Sequence, residues 1–404
     1  MSLVVESSTI PIAGFRFAGS SAGIKAPGGL DLALAVADEP AAVGGVFTTN
    51  LVRAAPVLVA AERVARGMVR AVLANSGCAN ACTGAAGLEA SRAVTAALAH
   101  AIGTTEAEVI PASTGVIGVP LPAERIAAHL PALVGALAAD GAGRFAEAIL
   151  TTDRGPKVAH ARGLVDGRPF AVLGLAKGAG MIHPNMAPHA TMLSFLFTDA
   201  AAHGGSLTRA LARVADATFN QASVDGDTST NDTLLALASG RAGTPIGPDG
   251  EVQAALEEAF VAVCEALARK IVADGEGAEH LVEIRVSGVA TDEEARRVAR
   301  TVATSPLVKT ALFGQDPNWG RLLAAAGRAE VTFDPSGARI LVGGVPVAER
   351  GVATGEAQEV RARAIMSSSE YRIDLVLGDG PGRGRYLTCD LGIGYVRCNA
   401  DYRS

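Results

Sequence analysis

Apolar residues recur at the three-to-four-residue spacing of amphipathic helices in five segments, 56–66, 86–101, 123–138, 251–271 and 292–303. The last segment opens with Asp292, Glu293 and Glu294, which a helix dipole favours in a first turn. Runs rich in Val, Ile and Leu at 69–74, 281–287, 339–347 and 372–377 are typical of strands. The pattern therefore predicts an α/β class, with helices and strands mixed along the chain.

Glycine-rich segments separate these elements at 17–29, 174–180 and 378–384. The last of them follows a predicted strand and is interpreted as a hairpin turn, because no helix follows it as a dinucleotide site requires. Neither an internal repeat nor a linker long enough to separate independent domains is visible. We therefore expect no division into independent domains.

Composition narrows the function classes. The chain has 404 residues, of which 49% are hydrophobic and 19% charged, enough for a large core. Its net charge is −6 without a basic stripe, so we expect no nucleic acid partner. We expect no signal peptide and no membrane span, because long uncharged apolar runs are missing. Five scattered cysteines suggest reduced thiols and a cytoplasmic location.

Several short motifs carry little weight. Residues 19–23 match GxSxG around Ser21, but no strand–elbow–helix frame is evident, so a turn is favoured over a hydrolase nucleophile. Cys78 and Cys82 lack a second ligand pair and are interpreted as small buried residues. With no phosphate loop, no HExxH and no ligand spacing among the histidines, we expect no metal and no cofactor.

The segment 177–197 carries the most distinctive chemistry. A loop rich in Gly and Pro leads into an apolar strand that we expect to start at Thr191. If the hydroxyl of Thr191 attacks the carbonyl of Ala190 and the ester hydrolyses, Thr191 gains a free α-amine. An amine with a pKa of about 7.7–8.0 can act as the base for its own hydroxyl. A threonine that opens a strand is nevertheless most often only a core residue.

The same segment resembles the processing site of the ornithine acetyltransferase (glutamate N-acetyltransferase, ArgJ) family, whose pattern is roughly KGxGMIxPNMATML. The resemblance extends over nearly the whole chain, in blocks that occur in the family's order: 113–118, 148–157, 219–233, 273–277, 309–327 and 395–404.

The resemblance implies a role for particular residues. Thr191 corresponds to the nucleophile, and cleavage between Ala190 and Thr191 would give an α chain 1–190 and a β chain 191–404. Thr114 and Gly115 correspond to the oxyanion hole. The residues that correspond to substrate-binding positions are Thr151 or Thr152, Lys177, Thr191, Glu276, Asn399 and Ser404. Asn231 and Asp232 lie in a matched block and are expected to act only through their neighbours.

The implied reaction is a ping-pong transfer of acetyl from N2-acetylornithine to glutamate in arginine biosynthesis, with acetyl-CoA as a possible second donor. The implied fold is a layered α/β sandwich of sheets and helices that resembles the N-terminal-nucleophile hydrolases. Both chains would contribute to one intertwined globular unit, and the implied assembly is an α2β2 heterotetramer. Two alternatives stay open: a self-processing amidase or aminopeptidase-like hydrolase that uses Thr191, and an unprocessed, non-catalytic member.

One departure from the family pattern lies beside the expected scissile bond. Lys177 and Thr191 are fourteen residues apart in this sequence, whereas the family pattern has eleven. The three additional residues lie before Thr191 and can be aligned as Pro-His-Ala or at an equivalent place in the same run. They could relax the strain that drives cleavage or re-aim Lys177.

Overall fold

The computed structural model describes residues 3–25, 28–183 and 192–401. Its first sheet contains nine strands of this part of the chain: β1 (Val5–Glu6), β2 (Phe15–Ser20), β3 (Leu32–Phe47), β4 (Met68–Cys78), β5 (Val109–Val116), β6 (Lys157–Val165), β7 (Arg168–Lys177), β8 (Leu193–Thr198) and β9 (Thr233–Ala238). Its second sheet contains six: β10 (Leu281–Gly288), β11 (Arg339–Val342), β12 (Val345–Glu349), β13 (Val352–Ala353), β14 (Glu370–Val376) and β15 (Gly380–Cys389).

The described α-helices are α1 (Ala55–Val64), α2 (Gly84–Ile102), α3 (Ala123–Gly135), α4 (Ala142–Ala148), α5 (Gly204–Ala217), α6 (Ala254–Ala273), α7 (Asp292–Ala303), α8 (Pro306–Phe313), α9 (Trp319–Gly327), α10 (Glu356–Met366) and α11 (Ile393–Asp401). The predicted α/β class is confirmed. None of these helices combines the length and the apolar character that crossing a membrane requires.

The first sheet is mixed, with the order β1-β6-β7-β8-β9-β3-β4-β5, and β2 also pairs with β3. Helices α5 and α6 pack on one face, and α1 to α4 cover the other. Because both faces are covered, the central strands are largely apolar. Strand β8, Leu-Ser-Phe-Leu-Phe-Thr, is buried at every position.

The second sheet has the order β13-β12-β11-β14-β10-β15, and α7 to α10 contribute to the core on one of its faces. Helix α7 begins as the acidic first turn predicts, because Thr291 and Glu294 form a reciprocal capping box. The two sheets share a boundary, since Leu387 and Cys389 of β15 lie in the core that covers the first sheet.

The hairpin predicted for 378–384 is wrong. Strands β14 and β15 lie on opposite sides of β10, so this segment crosses from one side of β10 to the other. Gly380, Gly382 and Gly384 belong to β15, where the backbone of 288–296 approaches closely. A Cβ atom on Gly382 would lie 2.3 Å from the carbonyl oxygen of Thr291. These glycines therefore allow close packing rather than a turn.

Two smaller expectations also fail. The predicted strand 339–347 is divided into β11 and β12 by Gly343 and Gly344, which take positive φ angles of 55° and 86°. Of the cysteine pair expected to be buried, only Cys78 is, because Cys82 lies exposed in the loop before α2. Ser21 lies in a loop after β2 with no helix following it, so the GxSxG segment is not an elbow.

Candidate active site

A cavity of about 220 Å³ lies where the C-terminal ends of β5 and β7 meet the segments that precede β8 and β9. The residues lining it are Thr114, Gly115, Ile117, Thr151, Thr152, Lys177, Gly180, Met181, Asp225, Asp227, Ser229, Thr230, Asn231, Glu276, Tyr395 and Asn399. Most of the site residues that the sequence predicts are thus brought together. A larger groove of about 490 Å³ beside β1 and β6 is lined by none of them.

Thr114 and Lys177 form the centre of the described site. Both side chains are buried, and Lys177 Nζ donates a hydrogen bond to Thr114 Oγ1 at 3.2 Å. Lys177 is the last residue of β7 and pairs in register with Leu193 of β8. Leu193 follows Thr191 by two residues, so the strand that leaves the expected nucleophile is hydrogen-bonded to the strand that ends in Lys177.

Glycine is required at position 115 by the backbone. Gly115 has a φ angle of 130°, and a Cβ atom there would lie 2.4 Å from the carbonyl carbon of Gly77 in β4. This end of β5 is also fixed from the other side, because Asn231 Nδ2 donates to the carbonyl oxygens of Ser113 and Ala79 at 2.8 and 2.7 Å. Asn231 therefore helps to position Thr114 and also lines the cavity itself.

The opposite wall is acidic. Glu276 follows α6, and its Oε2 accepts a hydrogen bond from Asn399 Nδ2 of α11 at 2.8 Å. Asp225 accepts backbone hydrogen bonds from Met181 and Ile182 at 2.6 and 2.9 Å. Burial raises the pKa of Asp225 although these hydrogen bonds oppose the shift.

Burial also governs the titration of Lys177. Removal from water lowers the pKa of this ammonium group, and Lys157 lowers it further, whereas Asp153, Glu276 and Asp232 raise it. For Asp153, burial alone would raise the pKa, but Lys177 and Lys157 outweigh burial and hold the pKa at about 2. Asp153 is therefore ionised throughout the neutral pH range.

Thr151 and Thr152 both line the cavity, from the loop between α4 and β6, so the structure leaves open which of them contacts substrate. The predicted cleavage at Ala190–Thr191, the three-residue insertion and Ser404 lie outside the described residues. Sequence reasoning missed Asp153, Asp225, Asp227 and Tyr395. Each lies inside a matched block, but no spacing rule in the sequence brings these blocks together.

Comparison with known proteins shows to which family the chain belongs. The profile of the ArgJ family matches residues 16–404. The chain belongs to the ArgJ family. It is 47% identical over 398 residues to the arginine biosynthesis bifunctional protein ArgJ of Geobacter sulfurreducens, covering 97% of this chain and 100% of the relative. It is 45% identical to the ArgJ protein of Gloeobacter violaceus, covering 98% of each chain.

Solved ArgJ structures match it as well. The crystal structure of the ArgJ protein from Bacillus halodurans is 39% identical, covers 52% of this chain and 98% of the solved chain, and has a TM-score of 0.48. The predicted ArgJ relationship is confirmed by the sequence matches, which extend across all the blocks that line the cavity.

Proposed function

We propose that this ArgJ protein is a glutamate N-acetyltransferase of arginine biosynthesis that transfers acetyl from N2-acetylornithine to glutamate through an acetyl ester on Thr191. Membership of the family supports the assignment, since its full-length relatives are named for arginine biosynthesis. The observation that carries it is the hydrogen bond from Lys177 to Thr114. Lys177 pairs with Leu193 at the start of β8, and Leu193 is two residues after Thr191.

The nucleophile is proposed to arise by self-cleavage. Attack of the Thr191 hydroxyl on the carbonyl of Ala190 transfers the chain from nitrogen to oxygen, and water then hydrolyses the ester. The freed α-amine can accept the proton of the Thr191 hydroxyl in each later attack. Chains 1–190 and 191–404 would stay joined, because β7 pairs with β8 and β3 pairs with β9. We further propose an α2β2 assembly and a cytoplasmic location.

In the first half-reaction, the Thr191 oxygen attacks the acetyl carbonyl of N2-acetylornithine. Thr114 Oγ1 and the backbone N–H of Gly115 are proposed to stabilise the negative oxygen that develops. Donors placed in this way contribute about 3–4 kcal/mol each to many acyl transfers. The carbon–nitrogen bond then breaks, the α-nitrogen of ornithine takes up the proton held by the Thr191 amine, and ornithine leaves.

In the second half-reaction, the α-amine of glutamate attacks the acetyl ester and restores the Thr191 hydroxyl. The reaction needs no cofactor, because the nucleophile supplies its own base. Acetyl-CoA is proposed as a second donor at the same threonine, in keeping with the relatives' designation as bifunctional. Exclusion of water would protect the ester from hydrolysis.

The cavity suits substrates that carry both charges. Lys177 is proposed to hold a substrate carboxylate, and Glu276 with Asp225 and Asp227 to hold ammonium groups. One of Thr151 and Thr152, together with Asn399 and Ser404, is proposed to complete the contacts. The ammonium of Lys177 and the carboxylates opposite it match the carboxylate and the side-chain ammonium of N2-acetylornithine.

The test is a transfer assay in which N2-acetylornithine and glutamate are mixed with the purified protein and all four amino acids are followed by mass spectrometry. We expect ornithine and N-acetylglutamate to form in equal amounts. Thr191→Ala should abolish both products, and Thr191→Ser should retain part of the activity. Thr301→Ala, on the solvent side of α7, is the matched control.

Release of acetate without N-acetylglutamate would identify a hydrolase instead. Failure to consume N2-acetylornithine would reject the proposal outright.

A further inference from the structure

A buried network of charged side chains lies directly behind the cavity. Lys157 Nζ donates to Asp153 Oδ1 at 2.6 Å and to Asp274 Oδ2 at 2.5 Å. The side chains of Lys157 and Asp153 are almost fully removed from solvent, at 3% and 0% exposure. Arg154 reinforces Asp274 from the solvent side with a hydrogen bond of 2.8 Å from Nε to Oδ1. Such a network persists only when its charges balance.

Asp153 joins two walls of the cavity through its backbone contacts. Its Oδ2 accepts from the backbone N–H of Thr151 at 3.0 Å, and its Oδ1 accepts from the backbone N–H of Gly178 at 2.6 Å. Thr151 lines the cavity, and Gly178 is the residue after Lys177. One carboxylate therefore fixes both the Thr151–Thr152 loop and the end of β7.

The charge balance assigns Asp153 to Lys177. Arg154 is 63% exposed, so within the buried group the carboxylates of Asp153 and Asp274 balance the ammonium groups of Lys157 and Lys177. Among the described residues, the other charged groups that act on Lys177 are Glu276, Asp232, Lys157 and Lys25. Burial and both lysines favour the neutral amine of Lys177, and the carboxylates favour the ammonium form.

We propose that Asp153 is a positioning residue that keeps Lys177 charged and so sets the upper pH limit at which the cavity holds a substrate carboxylate. The binding of a substrate carboxylate by Lys177 rests on the proposed function, whereas the effect of Asp153 on the charge of Lys177 does not. Asp153 acts through Lys177 and touches no substrate.

The test is the pH dependence of KM in the acetylornithine–glutamate assay. Deprotonation of Lys177 removes the partner of the substrate carboxylate, so KM rises at high pH. Asp153→Asn lowers the pKa of Lys177 further, and this rise should begin about 1–3 pH units lower than in the unmodified protein. The acid side of the kcat profile, which reflects the Thr191 amine, should stay in place.

Other variants separate charge from structure. Asp153→Glu restores the charge and should return the rise in KM toward its original pH. Lys157→Gln removes a cation beside Lys177 and should move the rise upward. Asp199→Asn is the matched control, since Asp199 also accepts a backbone N–H, from Ala171 at 2.8 Å, but lies away from the cavity. A merely structural role of Asp153 would change KM equally at every pH, and that result overturns the proposal.

A second readout does not depend on transferase activity. Reductive methylation labels only the neutral amine of a lysine, and peptide mass spectrometry follows Lys177 alone as the pH is varied. Asp153→Asn should move the half-labelling pH of Lys177 downward, and Lys157→Gln should move it upward. Should Asp153→Asn fail to fold, Lys157→Gln decides. An unmoved half-labelling pH rejects the role of Asp153, whereas loss of transfer in the unmodified protein with the shift intact rejects only the proposed function.

Discussion

At the scale of single residues, the hydroxyl of Thr114 has two tasks in this account. Its oxygen accepts a hydrogen bond from Lys177 Nζ, so the proton of the Thr114 hydroxyl points away from Lys177. In the proposed reaction that proton points at the oxygen of the acetyl group. The Thr114 side chain is buried in the cavity wall, so removal of its hydroxyl removes a fixed hydrogen-bond donor from the site.

Thr114→Val should therefore lower kcat of the cleaved protein by about 10²–10³, because it removes one oxyanion donor while it keeps the shape of the side chain. Thr114→Ser keeps the donor and should stay within about tenfold of the original rate. Steady-state kinetics, normalised to the amount of cleaved protein, provide the comparison. Equal rates for the valine and serine variants would exclude the hydroxyl from the reaction.

At the scale of elements, sequence patterns predicted the long amphipathic helices well. Helix α6 and helix α7 lie within three residues of their predicted bounds, because one face of each packs on a sheet and, in α7, the capping box is local. The glycines of β15 were misinterpreted, because the backbone they approach is about ninety residues away in the chain. Long-range approach of this kind leaves no local pattern.

The site was predictable only through family resemblance. Glu276 follows α6 in a segment that looks like an exposed turn, and its contact with Asn399 depends on the packing of α11 over the loop 274–277. That packing depends on Gly277, whose φ angle is 69°. A Cβ atom at Gly277 would lie 2.2 Å from the backbone nitrogen of Tyr395.

Gly277→Ala should displace α11 and raise KM about tenfold or more, since it removes the second wall of the cavity. Gly167→Ala is the matched control. Gly167 has a similar φ angle of 76°, but nothing lies within 4 Å of its Cβ position, so this variant carries the backbone strain without the collision. KM values for both substrates, with thermal midpoints, separate the two effects. If the KM of Gly277→Ala is no higher than that of Gly167→Ala, α11 does not shape the site.

At the scale of the whole molecule, His183 connects the segment that precedes the expected cleavage site with the second sheet. Its Nε2 accepts from Arg300 Nε of α7 at 3.0 Å, and its Nδ1 lies 3.4 Å from the hydroxyl of Tyr386 in β15. Burial, assisted by Arg300, lowers the pKa of His183 to about 4. The imidazole is therefore neutral in the neutral pH range.

The low pKa of His183 predicts that the stability of the folded protein depends on pH. The unfolded chain binds a proton at His183 below about pH 6.5, whereas the folded chain does so only near pH 4. Its contribution is therefore complete above pH 6.5 and is lost as the pH falls to 4, by on the order of 3 kcal/mol. Urea unfolding of His183→Gln, which keeps an acceptor for Arg300, should show a smaller loss over this range than the unmodified protein. The exposed His203→Gln is the control, and identical pH dependence in all three proteins would contradict the account.

The most direct test of the central claim is denaturing mass spectrometry of the purified protein before and after addition of N2-acetylornithine, with N-terminal sequencing. The account predicts two fragments of about 19 and about 22 kDa, in proportion to their shares of the 40.7 kDa chain. The larger should begin at Thr191 and gain one acetyl group. A single unmodified species of 40.7 kDa would show that Thr191 has no free amine and carries no acetyl group, and would contradict the proposed mechanism.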